Sequence, residues 1–288
     1  MSSPEQSVSR PVLSGPKILI IGASGTGKTR SIGTLVDWAA RQSPPRNVYV
    51  LFTENGLETL LGYWLDAGRQ VPANLAYHVV TTKAIPLADL MEAAKKVGIL
   101  NYKAITEMVD PNRSANNPYY KIMEVLAKFT DDRTGKDCGN IGTWTASDIF
   151  VIDSLSELAN ACFKMVIGNK PTASPSDYGV AQNNLLNFLR YITQGFAPTV
   201  AITAHVQRQT DEITGSVKLQ TKAIGKAMGD DIPQLFSEVI GAVREGATWW
   251  WDTANSSLDT KTRYLPIASK ITPDFAQIMD KWVKRGTA

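Results

Sequence analysis

At 288 residues with 43% hydrophobic side chains, the chain is long enough to bury a substantial core, as one domain with an insertion or as two small domains. A net charge of +3 is too weak to demand nucleic acid or exclude it, so any basic surface must be local. The two cysteines, Cys138 and Cys162, share no metal-ligand spacing and read as reduced thiols; no apolar run approaches the roughly 20 residues of a membrane span, and a soluble, cytoplasmic protein is expected.

Residues 1–15 are rich in Ser and Pro, carry no apolar stretch of the signal-peptide kind, and read as a flexible tail. Residues 17–21 are a short apolar run of buried-strand type. They lead into Gly22, Ala23, Ser24, Gly25, Thr26, Gly27, Lys28 and Thr29, a complete G-x-x-x-x-G-K-[ST] phosphate loop. Behind it, Ile32, Leu35, Val36, Ala39 and Ala40 recur on one helical face. Strand, glycine loop and helix in that order place phosphates at a helix N-terminus. The glycines let successive backbone N–H groups point at phosphate oxygens, Lys28 reaches the β/γ-phosphates, and the Thr29 hydroxyl reaches Mg²⁺. ATP and Mg²⁺ are the ligands this implies.

Further on, residues 48–52 read as a strand, 56–67 as a helix, 75–82 as containing a strand, and 86–97 as a helix with Leu87, Leu90 and Met91 inward. Such alternation predicts a mostly parallel sheet covered on both faces. Residues 98–147 interrupt it and read as an insertion: 118–129 look helical, and 130–145, polar and Gly-rich, read as a mobile loop within it. The rhythm resumes with a strand at 148–153, a helix at 154–167, a Gly/Pro/Ser-rich loop at 168–176, a long helix at 177–193 and a buried strand at 199–204. In the last third, 238–243, 247–253 and 261–268 read as strands, the last two joined by a polar turn at 254–257, giving a C-terminal antiparallel extension.

Asp153 ends the apolar strand 150–153 and, set opposite Thr29, would hold Mg²⁺, through water. Ser154 stands where many ATPases place a water-activating Glu, so the base must come from elsewhere or hydrolysis is poor. Glu54 sits just past strand 48–52. Ligands bind at the carboxyl ends of strands in such sheets, so Glu54 would face the γ-phosphate and orient a water; the competing reading is a first-turn acid of the following helix. His205 ends strand 199–204 and would sense the γ-phosphate, against the alternative of a structural histidine.

With these parts in place the chain resembles the RecA-like recombination ATPases, and is most similar to compact phage-encoded members that bind single-stranded DNA and assist annealing. Residues 22–29, 51–54, 151–155 and 200–205 carry the resemblance, together with the spacing from Ser176-Asp-Tyr-Gly179 through one long helix to the sensor strand. It spans about residues 16–270, less the insertion. It implies a RecA-like P-loop NTPase core over 16–288 and two loops lining a DNA path: 168–176 with Lys170, and 206–226 with Arg208, Lys218, Lys222 and Lys226 against Asp211 and Glu212. No aromatic residue sits in the second, which favours contact with the phosphate backbone over base stacking. The resemblance further implies a cation supplied by the next subunit, here Lys270 with Arg263 as competitor, acting as an arginine finger does. A surface lysine is the competing reading. The implied protein is a homo-oligomer, ring or filament, with ATP at subunit interfaces and single-stranded DNA as partner; a single-strand DNA-binding protein is a candidate further partner. It would be a DNA-stimulated ATPase that promotes annealing or strand exchange. A helicase or packaging-type translocase, and a non-hydrolysing ATP-gated scaffold, are the alternatives; a small-molecule phosphotransferase is disfavoured by the lack of an Arg-rich lid. The insertion, the histidine where an amide sensor is usual, and Trp249-Trp250-Trp251 depart from the family. Alternation puts Trp249 and Trp251 on one strand face, for core or subunit packing or as a stacking platform for bases.

Overall fold

A computed structural model describes residues 14–80, 86–88, 91, 92, 95, 117–168, 170, 172–210 and 217–287. Runs in which every side chain is buried form the middle of one sheet. They are β1 (Lys17–Gly22), β2 (Val48–Phe52), β4 (Ile149–Asp153), the first half of β5 (Thr199–Thr210) and the first five residues of β7 (Glu238–Glu245). With β3 (Leu75–Val79) and β8 (Thr248–Asp252) the order is β3-β2-β4-β5-β1-β7-β8. Neighbours from β3 to β7 are parallel and β8 is antiparallel. Unbroken apolar runs are what a strand covered on both faces requires, and β1 shows the alternation: Ile18 and Ile20 join one core cluster, Leu19 and Ile21 the other. α1 (Lys28–Ala40), α2 (Leu57–Leu65) and α7 (Ala276–Thr287) cover the first face. α3 (Pro118–Ala127), α4 (Leu155–Ile167) and α5 (Pro175–Gln194) cover the second. The short α6 (Met228–Asp231) adds Met228 to the second core. Among the described residues no helix is long and apolar enough to cross a membrane.

Several expectations change. Residues 1–13 of the expected tail lie outside the described residues, and by Gly15 the chain is docked, its N–H donating to the Ala197 carbonyl at 3.0 Å. In the helix expected at 86–97, Leu87 and Met91 are exposed rather than inward; Leu90 lies outside the described residues, as do 96–116. Residues 118–127 form the expected helix, α3, while 130–145 are docked on the domain rather than a free loop. Phe129 and Trp144 are buried against Tyr49 of β2, the Trp144 ring stacking on Tyr49 at 4.0 Å. The polar, Gly-rich stretch between them closes a turn with a Thr130–Asp137 bridge, and the Asp131 carboxylate accepts the Tyr77 N–H at 3.0 Å. The two aromatic anchors outweigh the turn-forming composition between them.

At the C-terminal end, β8 returns from β7 through Gly246 and Ala247. Residues 261–268 do not form the expected strand: Lys261 makes one isolated bridge to Val239. Beyond it the chain is pinned by the buried Glu238 carboxylate, which accepts from Thr262 Oγ1 at 2.6 Å and the Arg263 N–H at 2.7 Å. Burial pushes that carboxyl up, and these donors oppose the shift. The expected loop at 206–226 is instead a two-stranded arm. β5 runs on to Thr210, and β6 (Val217–Thr221) pairs antiparallel with its outer half.

Candidate functional site

Parallel pairing brings four strand ends to one edge. Gly22 is in register with His205 on β5, and Phe52 with Asp153 on β4. Glu54, two residues past β2, therefore stands beside both. Between them lies a cavity of about 320 Å³ walled by residues 24–30, Glu54, Asn55, Gly56, Thr59 and His205. The loop 22–29 turns through left-handed backbone at Gly25 (φ 75°) and Gly27 (φ 80°), a conformation glycine adopts at little cost. Thr26 Oγ1 donates back to the Ala23 carbonyl at 2.8 Å. The buried Lys28 Nζ donates to the carbonyls of Gly22 (2.9 Å) and Ala23 (2.8 Å), so the ammonium is fixed at the cavity's inner wall. Burial lowers its pKa, while Asp153 and Glu54 pull it back up.

Asp153 is fully buried. Thr29 Oγ1 donates to one carboxylate oxygen at 2.8 Å and Thr203 Oγ1 to the other. Burial pushes the carboxyl up, and the Thr203 and Thr29 hydrogen bonds draw it down. Glu54 and His205 meet directly, Oε2 to Nε2 at 3.1 Å, each about a quarter exposed. Behind His205 a closed set of bonds leads to the arm: its N–H donates to Ser156 Oγ (3.0 Å), Ser156 Oγ donates to the Lys222 carbonyl (3.0 Å), and the Lys222 N–H donates to the His205 carbonyl (2.8 Å). Sequence reasoning missed Thr203 and Ser156. Thr203 had a readable signal, since alternation puts it on the same face of β5 as His205.

A family model of the AAA domain matches residues 14–268. The chain belongs to that family. The AAA domain family is one of P-loop ATPases. Among solved structures it is similar to a prototypical ATPase of the type III secretion system of pathogenic bacteria, at 16% identity and a TM-score of 0.39, over 80% of this chain and 53% of that one. The chain thus spans about half the length of that ATPase. A search among curated proteins returns no match.

The residues of the AAA domain fit Mg²⁺-nucleotide. Among the described residues no group of three His, Cys, Asp or Glu gathers as a metal cage. Thr29 and Asp153, already 2.8 Å apart, would instead supply the two protein-side oxygens and leave the remaining positions to phosphate and water. A metal there would offset charge on the phosphate oxygens. The other predicted residues lie away from this cavity. Lys270, at φ 61°, pairs with Glu245 at 2.8 Å on the surface, and it follows no strand, since 261–268 is not one. Arg263 is exposed beside Glu238. Lys170 pairs with Asp177 at 2.5 Å, and Lys218 with both Asp230 and Asp259 at 2.9 Å. Arg208, Lys222 and Lys226 are exposed. Of the three tryptophans, Trp251 packs edge-on to Phe275 in the core, and Trp249 lies against the phosphate loop, its indole N–H donating to the Gly25 carbonyl at 3.1 Å.

Proposed function

We propose that this AAA domain is a Mg²⁺-dependent ATPase that assembles on single-stranded DNA as a homo-oligomer, with ATP between subunits, and promotes strand annealing or exchange. One observation carries the reading. A single strand, β5, holds Thr203 against Asp153, holds His205 against Glu54, and runs on into the β5–β6 arm that bears Arg208, Lys218 and, at its foot, Lys222. A change of bonding at the γ-phosphate end is therefore one strand away from a basic projection.

In this reading Lys28 and the loop amides hold the phosphates. Glu54 accepts a proton from the attacking water, and His205 Nε2, 3.1 Å from Glu54 Oε2, orients that carboxylate. A γ-phosphate that takes His205 Nε2 as its donor loosens the pair with Glu54, and the Ser156–Lys222 bonds carry that change to the arm. The arm's lysines meet the phosphate backbone, which gives binding without sequence readout. ATP turnover measured with and without single-stranded DNA, beside the oligomeric state in each condition, tests the proposal. DNA-stimulated turnover with DNA-dependent assembly and annealing supports it. Directional duplex unwinding coupled to turnover points instead to a translocase, and turnover at background with assembly retained points to an ATP-gated scaffold. Lys28→Ala should abolish nucleotide binding; unchanged binding would overturn the site.

A further inference from the structure

The phosphate loop is backed by the β7–β8 hairpin. A Cβ at Gly22 would meet the Ala242 carbonyl oxygen of β7 at 2.5 Å, and one at Gly27 would meet the Trp249 ring of β8 at 2.9 Å. Both approaches need glycine. The Trp249 ring is also braced from α1: the Arg30 guanidinium lies 5.9 Å from its centre and is itself paired with Asp66 at 3.3 Å.

The carbonyls of the loop show how it is held. Those of Gly22 and Ala23 accept from Lys28 Nζ, that of Ala23 also from Thr26 Oγ1, and that of Gly27 from the Ser31 N–H. These donors all lie in the loop or in α1. The Gly25 carbonyl accepts instead from the Trp249 indole N–H, at 3.1 Å. Little else restrains Gly25. Its φ is 75°, and, chain neighbours aside, no atom lies within 4 Å of where a Cβ would stand. A peptide unit beside such a glycine can rotate with little steric resistance. The Gly25–Thr26 peptide is trans, so its C=O and N–H point in opposite directions. Gly25 and Thr26 wall the phosphate cavity, and Trp249 lies outside its walls. With the carbonyl turned out to Trp249, the Thr26 N–H is turned toward the cavity. Rotated the other way, the same peptide would set a carbonyl oxygen against phosphate oxygens and exchange attraction for repulsion.

We infer that Trp249 is a positioning residue for phosphate binding: its indole N–H fixes the Gly25–Thr26 peptide so that the Thr26 N–H meets the phosphates. The inference rests on the phosphate-loop reading. Calorimetric titration of the full chain with inorganic tripolyphosphate and with ATPγS, each with Mg²⁺, tests it in Trp249→Phe, which keeps a ring against Gly27 and removes the donor. Both ligands should bind about tenfold more weakly, the loss expected for one hydrogen bond to a charged group. Unchanged tripolyphosphate affinity overturns the inference, whatever ATPγS does. The phosphates are held before and during transfer alike, so the KM for ATP should rise by about that factor with kcat within about twofold. A fall in kcat with KM unchanged overturns the inference too. Without ligand, amide hydrogen exchange in Trp249→Phe should quicken over residues 22–29 and not elsewhere; quickened exchange throughout the chain would make Trp249 a packing residue and overturn its positioning role. Lys28→Ala separates the two readings. If it abolishes tripolyphosphate binding while Trp249→Phe does not weaken it, the role of Trp249 alone is wrong. If Lys28→Ala leaves that binding intact, or the wild type binds neither ligand, the phosphate-loop reading fails and this inference falls with it.

Discussion

At Asp153, Thr29 and Thr203 each donate to one oxygen of a fully buried carboxylate. Only Thr29 belongs to the phosphate loop; Thr203 comes from β5 and fixes the carboxylate's rotation. Thr203→Val keeps the shape but leaves a buried oxygen without its donor. Groups that orient a metal ligand in this way typically matter by about ten- to a hundredfold in metal affinity. A Mg²⁺ titration of ATP turnover should therefore shift to about tenfold higher Mg²⁺ in Thr203→Val, with the maximal rate less affected; an unchanged midpoint would remove Thr203 from this role. Glu54→Gln is the complementary test. The amide keeps the contact with His205 Nε2 but takes no proton, and a general base contributes about a hundredfold or more. Turnover should fall by that factor while nucleotide binding persists. That Thr29 and Asp153 meet is legible in the sequence, because the glycine-loop motif and an apolar strand ending in a carboxylate can each be read from residue types alone. The Glu54–His205 bond is not, because it depends on β2 and β5 lying on either side of β4, and strand order is a long-range property.

Among the elements, the β5–β6 arm replaces the loop that composition suggests. Residues 207–210 are polar and broken by no turn signal, and their strand character comes from pairing with 217–220 rather than from burial. The arm also redistributes charge, since Lys218 already has Asp230 and Asp259 as partners. The salt dependence of single-stranded DNA binding should then rest on Arg208, Lys222 and Lys226. Neutralising these three together should flatten the log–log salt slope by about 2, at about 0.7 per phosphate contact. Lys218→Ala alone should change it little. An equal slope in the triple variant removes the arm from the DNA path.

The start of α5 carries a pH-dependent contact of its own. Lys170 Nζ, then the Ser174 N–H and hydroxyl, donate to Asp177 and lower its pKa to about 2. Its unfolded value is about 3.9. A carboxyl lowered in the fold adds stability that is complete above the unfolded value and fades as pH falls through the folded one. Denaturant unfolding of wild type and Asp177→Asn should therefore differ at pH 6, draw together as pH falls below about 4, and coincide only below about pH 2. A constant gap across that range would show that Asp177 acts here without its charge.

For the whole molecule, two helical layers on a mostly parallel sheet are what alternating apolar runs and amphipathic helices dictate, and that much of the fold is legible through the first two thirds. The last third is less so. Lys261–Ala268 has the polar-apolar mix of a strand, yet Glu238 captures its backbone N–H groups and bends it away, and α7 closes the first core with Ile278, Met279 and Trp282. This leaves Lys270 on the surface, paired with Glu245 and outside the cavity of its own chain. A lysine there reaches a phosphate only across an interface. If subunits assemble head to tail, every site is composite: one chain gives Lys28, its neighbour Lys270. Lys28→Ala and Lys270→Ala would then each be inactive alone, because each spoils every site in its own assembly. In a random 1:1 mixture, an interface pairs a Lys28-bearing chain with a Lys270-bearing neighbour with a chance of one half for each, so about a quarter of sites are whole. ATP turnover of the mixture should peak at equal proportions, at about a quarter of the wild-type rate per site. Turnover no higher than either variant alone, at every ratio, would leave Lys270 as a surface partner of Glu245. Rescue of Arg263→Ala in its place would hand the role to Arg263.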